Sequence, residues 1–399
     1  MIHAAILVTL VAPLAGATVL FAQQSGSGEY LTRAGDCIGC HTAPGGRPGA
    51  GGFRMDTPFG YLLSPNITPD SATGIGRWTS DEFYRALHDG VNRRGQDMYP
   101  AMPYTFYTKV TRIDSDSIFA YLRGISVVRN AVDVNQLHFP FDQRWSMMGW
   151  RELFFSDGTF VPDPAHTASW NRGAYLVQGL GHCDACHSPM NALGANEKRQ
   201  AFTGGSVDGW FAPNLTSELE TGLGSWTIEQ VVAYLKTGAA KGKSTAVGDM
   251  AMVIHGSLAY LADVDLRAMA EYLKSLPPQS ARTRPPLQEP VPPQAASLYI
   301  TSCGSCHQAK GRGVPGVFPP LTGNGVVVAP DPADLINVIL LGIPAQNGYV
   351  PMPAFASQFS DQQVADVVNY VRSHWGNTAP TNATAAMVAK RRAAQGPAN

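Results

Sequence analysis

All six cysteines of this 399-residue chain fall into three pairs, each followed at once by histidine: Cys37, Cys40 and His41; Cys183, Cys186 and His187; Cys303, Cys306 and His307. Two thiols at this spacing serve a zinc half-site, a dithiol redox switch or the thioether attachment of haem. Zinc asks for a second pair within about 15–20 residues, yet the next pair here is more than a hundred residues away. A dithiol switch has no use for histidine at the following position, whereas haem attachment needs it there. Cysteines three apart on a helical turn face one side, so each reaches one vinyl group of a porphyrin while the imidazole reaches the iron. The pattern therefore predicts three haem c groups, with His41, His187 and His307 as proximal iron ligands.

Sulfur on the opposite face of the iron raises its potential, so each repeat should supply a methionine between its cluster and its last helix. The third offers Met352, which precedes proline and lies 18 residues before Tyr370. Met102 also precedes proline and lies 19 before Tyr121, against 23 for Met98, and is the better match. In the second repeat Met250 lies 22 and Met252 lies 20 before Tyr272, so spacing leans slightly to Met252. Pro65, Pro213 and Pro319 open similar Pro-x-Ile/Leu triplets, where a carbonyl could accept the imidazole N–H and fix the ring.

The elements that must position these residues repeat as well. Tyr30-Leu31 and Tyr175-Leu176 precede the first two clusters, and Tyr299 occupies a comparable place before the third. TGIGRWT (73–79) and TGLGSWT (221–227) match closely enough to imply duplication. Thr79 with Glu82, and Thr227 with Gln230, are helix-start signatures, and each repeat closes on an amphipathic helix. Small helical domains whose cores are largely haem follow, because units of this size bury little apolar surface unaided. The predicted boundaries are 1–22 as an export signal, cleaved after Ala22 or kept as an anchor, 23–160 and 161–278 as the first two domains, 279–294 as a proline-rich linker, 295–378 as the third domain and 379–399 as a tail. An aromatic-rich insertion, 124–170, has no counterpart elsewhere and reads as packing between domains, with a partner or membrane face as the alternative. Export to a bacterial periplasm suits thiols that must be kept for attachment. A net charge of −1 offers no field for nucleic acid.

Taken together, GDCIGCHTAPGG, NITPDSATGIGRWT, YPAMPY, FPFDQRW, NRGAYLVQGLGHCDACHSP, GGSVDGWFAPNLT, YLKTG and MAEYLKSLPP resemble the triheme cytochrome c subunits of bacterial membrane-associated dehydrogenases for alcohol, gluconate, sorbitol and fructose. The resemblance spans essentially the whole mature chain. It implies an all-α fold of three tandem class I cytochrome c-like domains and an electron relay with no substrate site of its own. The implied partners are a catalytic subunit carrying flavin, pyrroloquinoline quinone or molybdenum, sometimes a small third subunit, and ubiquinone or a terminal oxidase as acceptor, on the outer face of the cytoplasmic membrane with peripheral attachment. In the family pattern the second axial methionine opens a stretch that reads MAMVI here, which favours Met250. The family's Thr-Pro-Arg-Asn after the second cluster is replaced by Ser188-Pro189-Met190-Asn191, so that arginine's contacts have no counterpart. Two other functions compete: a free-standing or oxidase-linked electron carrier, and a haem peroxidase, which would need one iron lacking its methionine.

Overall fold

The computed structural model describes residues 27–280, 288–345 and 349–394. The expected export signal, 1–22, lies outside these residues, as does 281–287 of the expected linker. Among the described residues no helix is long and apolar enough to cross a membrane.

In the first repeat α1 (Gly28–Ala34) leads to α2 (Cys37–Cys40), β1 (Arg54–Thr57), β2 (Gly60–Leu63), α3 (Ser80–His88), α4 (Tyr104–Tyr107) and α5 (Arg112–Gly124). The insertion contributes β3 (Asn135–Leu137) and α6 (Ser146–Phe154). The second repeat runs through α7 (Ala168–Tyr175), α8 (Asp184–His187), β4 (Gly205–Val207), β5 (Trp210–Ala212), α9 (Ile228–Thr237), β6 (Ala239–Ala240), β7 (Ser244–Thr245), α10 (Gly248–Gly256) and α11 (Asp263–Ser275). The third contains α12 (Pro293–Ser302), α13 (Gly304–His307), α14 (Gly325–Val328), α15 (Ala333–Leu341) and α16 (Asp361–Ser373), followed by α17 (Ala385–Ala394).

The helical expectation is corrected by three small antiparallel sheets, β1–β2–β3, β4–β5 and β6–β7. The cause is local turn chemistry. Asp208-Gly209 joins β4 to β5 with both residues at positive φ, 47° and 82°, the conformation of the two-residue hairpin turn that Asp-Gly favours. The expected helix starts form as capping boxes at Thr79/Glu82 and Thr227/Gln230, with another at Ser360/Gln363.

The first two repeats share one continuous apolar core, from Leu31 through Ile118 and Leu176 to Leu273, so the expectation of separately cored units gives way here. Their seam is held reciprocally. Tyr30 donates its hydroxyl to Asp265 at 2.6 Å and accepts the Ala262 N–H; Tyr175 donates to Asp114 at 2.6 Å and accepts the Thr111 N–H. Each tyrosine thus caps the start of the other repeat's last helix. Tyr299 differs from both, donating within its own repeat to the Gln308 carbonyl.

The insertion does what packing requires and more. Met147 and Trp150 are buried, and the Trp150 indole donates to the Leu193 carbonyl of the second repeat, while Trp145, Met148 and Leu153 stay exposed. The third repeat has its own core, and the C-terminal tail joins it: Ala383 and Val388 are buried there. Arg372, fully buried, is satisfied by the carbonyls of Val327, Pro330 and Pro380 and by the Asn382 amide oxygen. The third repeat meets the second where Phe211 N–H donates to Asp334 at 2.7 Å and Asn337 donates to the Gly209 carbonyl at 2.9 Å.

Candidate functional site

Each cysteine pair sits on or beside a single short turn, α2, α8 or α13, closed by the histidine's N–H on the first cysteine's carbonyl at 2.9–3.0 Å. The run into the first two turns needs a residue in the left-handed region, Asp36 (φ 48°) and His182 (φ 35°). From Tyr30 to Cys37 the chain takes seven steps, but from Tyr175 to Cys183 it takes eight. The additional residue is absorbed as a π-helical turn over Leu176–Leu180, the usual way a helix accommodates a one-residue insertion.

The imidazoles are oriented alike. Nδ1 of His41, His187 and His307 faces the carbonyls of Pro65, Pro213 and Pro319 at 2.7, 2.6 and 3.0 Å. A carbonyl only accepts, so each Nδ1 must donate, which fixes the tautomer and leaves the Nε2 lone pair free to bind a metal. Burial holds all three rings below the ordinary histidine value, against the opposing pull of the proline carbonyls. Neutral imidazole is the ligating form.

All six cysteines are free thiols. Burial, the largest cause in each case, pushes Cys37, Cys40 and Cys183 up to about 12 and Cys186 and Cys303 up to about 11. Cys40 and Cys186 are the more solvent-exposed members of their pairs. The burial disfavours thiolate, which zinc binding and disulfide exchange both require, but suits an uncharged thioether. Among the described residues no three His, Cys, Asp or Glu side chains converge as a metal-binding set. The paired thiols, each with a neutral imidazole beside it, fit haem c.

The methionines separate by position. Met102 and Met250 pack on the core that also receives Cys37 and Cys183, and Met352 on the core that receives Cys303. Met98 belongs to a satellite cluster with Leu62, Tyr99 and Trp150 beneath the insertion, and Met252 is 53% exposed. Helix α2 abuts α10, the helix that carries Met250. Asp36 lies at that seam with a buried, unpartnered Oδ1, and burial pushes its carboxyl up to about 7. The other histidines, His88, His138, His166, His182, His255 and His374, form no equivalent cluster among the described residues. His182 adjoins Cys183, but its Nδ1 is committed to the Leu180 carbonyl and its ring meets Tyr107 edge-on.

Residues that sequence reasoning missed are Gly28 and Gly173. A Cβ on Gly28 would fall 2.0 Å from the Ser117 carbonyl oxygen, and one on Gly173 1.9 Å from that of Ala268. These glycines let α1 cross α5, and α7 cross α11, at close range. Their signal was available: both repeats read Gly-x-Tyr-Leu.

A model of the cytochrome c family matches residues 294–375. Over 92% of its length the chain is 39% identical to the cytochrome c subunit of a quinone-type alcohol dehydrogenase from Gluconacetobacter polyoxogenes, covering 83% of that relative. Identity is again 39%, over 92% of the chain and 88% of the relative, to the gluconate 2-dehydrogenase cytochrome c subunit of Pantoea cypripedii. A nicotinate dehydrogenase subunit of Pseudomonas putida is 42% identical over 88% of the chain, which spans 30% of that longer protein.

Proposed function

Because the chain belongs to the family of dehydrogenase cytochrome c subunits, we propose that it relays electrons through three haem c groups from a catalytic dehydrogenase subunit to ubiquinone or another respiratory acceptor. It is the non-catalytic, electron-transfer member of such an assembly. When bound, haem c supplies a one-electron iron couple whose potential is set by axial ligands, burial and nearby charge.

The single observation that carries this reading is the threefold recurrence of a free thiol pair beside an imidazole locked by a proline carbonyl. Cys37 and Cys40, Cys183 and Cys186, and Cys303 and Cys306 would hold the porphyrins as thioethers. His41 with Met102, His187 with Met250, and His307 with Met352 would grip the irons. The carbonyls of Pro65, Pro213 and Pro319 keep each Nδ1 protonated and each Nε2 available. The fold class that accompanies this reading is three tandem cytochrome c-like domains, the first two fused through one core. The relatives' names point to partner subunits acting on alcohols, sugars or sugar acids. Export to the periplasm and peripheral attachment to the membrane belong to the same proposal.

Intact mass and pyridine haemochrome assay of the protein purified from a host with cytochrome c maturation should give three covalent haems per chain. Variants with paired Cys→Ala changes in one cluster should give two. A count below three in the unmodified chain defeats the proposal.

A further inference from the structure

The hairpins of the first two repeats are covered differently. In the first, β3 of the insertion pairs with β2. In the second, β4–β5 has no third strand among the described residues, and α15 of the third repeat lies on it instead. Two buried side chains one turn apart on α15 make the contact. Asp334 accepts the Phe211 N–H at 2.7 Å, and Asn337 donates to the Gly209 carbonyl at 2.9 Å. The Gly325 N–H adds a bond to the Lys243 carbonyl at 3.1 Å. The apolar cores on the two sides do not merge, so the joint depends on these polar groups.

The elements that meet here lead to two of the methionines assigned to iron. Trp210 of β5 lies against Gly248, where a Cβ would fall 2.3 Å from the indole ring, and Gly248 opens the helix that carries Met250. On the other side Leu335, Ile336 and Ile339 of α15 pack in the core that receives Met352. Ile343 and Met352 exchange N–H and carbonyl at 2.9 Å in both directions, and the Ile339 carbonyl accepts the Phe355 N–H at 2.9 Å. A change in how α15 sits on the hairpin therefore moves the Met352 segment relative to the Met250 segment.

Charge at the joint disfavours an ionised Asp334. Asp331, at the start of the same helix, and Asp249 of α10 both repel it, while Arg391 of α17 and the Phe211 N–H oppose them. Asp208, in the hairpin turn, bears on Asp249. The Tyr234 phenol of α9 feels the same carboxyl, and Arg372 of α16 feels Asp331.

We propose that Asp334 is a positioning residue for electron exchange between the second and third repeats: its neutral carboxyl seats α15 on the β4–β5 hairpin, and its ionisation loosens that seat. The exchange, in which one iron is oxidised as the other is reduced, rests on the haem reading above; the seating does not. A group that holds its proton more tightly docked than undocked makes docking strongest at low pH. With the carboxyl moved from 3.8 to about 7, docking is fully favoured below about pH 4, weakens by up to about tenfold per pH unit as the pH rises, and levels off above about pH 7.

The test uses the full-length holoprotein and Asp334→Asn, which keeps an oxygen for the Phe211 N–H but cannot ionise. Hydrogen exchange read by mass spectrometry, corrected for the intrinsic rate at each pH, reports opening of the joint in peptides containing Phe211; peptides from α5, deep in the fused core, serve as the control. Protection at Phe211 should fall at least tenfold from pH 5 to pH 7 in the parent and stay level in Asp334→Asn, with the control level in both. Arg391→Gln, which removes the opposing base, should carry the fall to higher pH. Flash photoreduction of the same samples should show electron exchange with the third haem slowing over the same pH range in the parent only. Matching protection profiles in parent and Asp334→Asn, or a loss shared by the control peptides, overturn the proposal. So does an exchange rate that ignores pH while three haems are present and protection falls. Haem content below three, with the protection profiles as expected, would instead count against the haem reading alone.

Discussion

Met250 and Met252 lie two positions apart on α10, and two steps along a helix turn a side chain by about 200°, to nearly the opposite side. Only one can face the shared core, and it is Met250, while Met252 looks outward. Replacing Met250 with Ala should convert one haem to a high-spin, ligand-accepting state and lower its potential, whereas Met252→Ala should leave the spectrum intact and shift stability by no more than about 0.5 kcal/mol. Spectra and redox titration of both variants decide it; the reverse pattern assigns the other sulfur. The ambiguity shows where sequence stops being legible. Cysteine–histidine clusters can be read directly because covalent attachment dictates local spacing. The choice of methionine cannot, because counting residues to the next tyrosine ignores which side of a helix turns inward. Met98 illustrates the same point, since it is diverted into the cluster beneath the insertion.

At the scale of elements, the repeated motifs were visible but their partners were not. Tyr30 and Asp265 are 235 positions apart, and no periodicity connects them, so a recurring Tyr-Leu could be noticed without showing that each tyrosine serves the other repeat. The same holds for Gly173, whose value lies in what opposes it. Gly173→Ala would drive a Cβ to 1.9 Å from a backbone oxygen of α11, and because backbone cannot step aside, the crossing must open. A loss of about 1–3 kcal/mol is expected, with reduced haem content in the second repeat. Gly149 provides the contrast. It is exposed within α6, and a Cβ there meets nothing within 4 Å. Gly149→Ala should therefore stabilise by roughly 0.5–1 kcal/mol through helix propensity alone. Chemical denaturation of the two variants checks both signs at once; similar shifts would mean that close approach is not what the glycine at 173 provides.

At the scale of the whole molecule the first two repeats act as one body, and the third docks on it through polar contacts at the β4–β5 hairpin. Asp334 is a buried carboxyl at that joint. Burial pushes its carboxyl up to about 7 from an ordinary 3.8; Asp331 and Asp249 push the same way, while the Phe211 N–H and Arg391 oppose them. A carboxyl with a raised folded value binds its proton more tightly folded than unfolded. Its stabilisation is thus complete below about pH 4 and is lost as the pH climbs through about 7, with an upper bound of about 4 kcal/mol. Asp334→Asn keeps an oxygen for the Phe211 N–H but cannot ionise. Thermal unfolding from pH 5 to pH 8 should show the parent losing stability relative to the variant, with the variant the more stable at pH 8. The transition most affected should be the one in which the third repeat separates from the fused pair, because the carboxyl is buried only while that contact persists. Parallel stability profiles for the two proteins would show that Asp334 is already ionised in the folded joint.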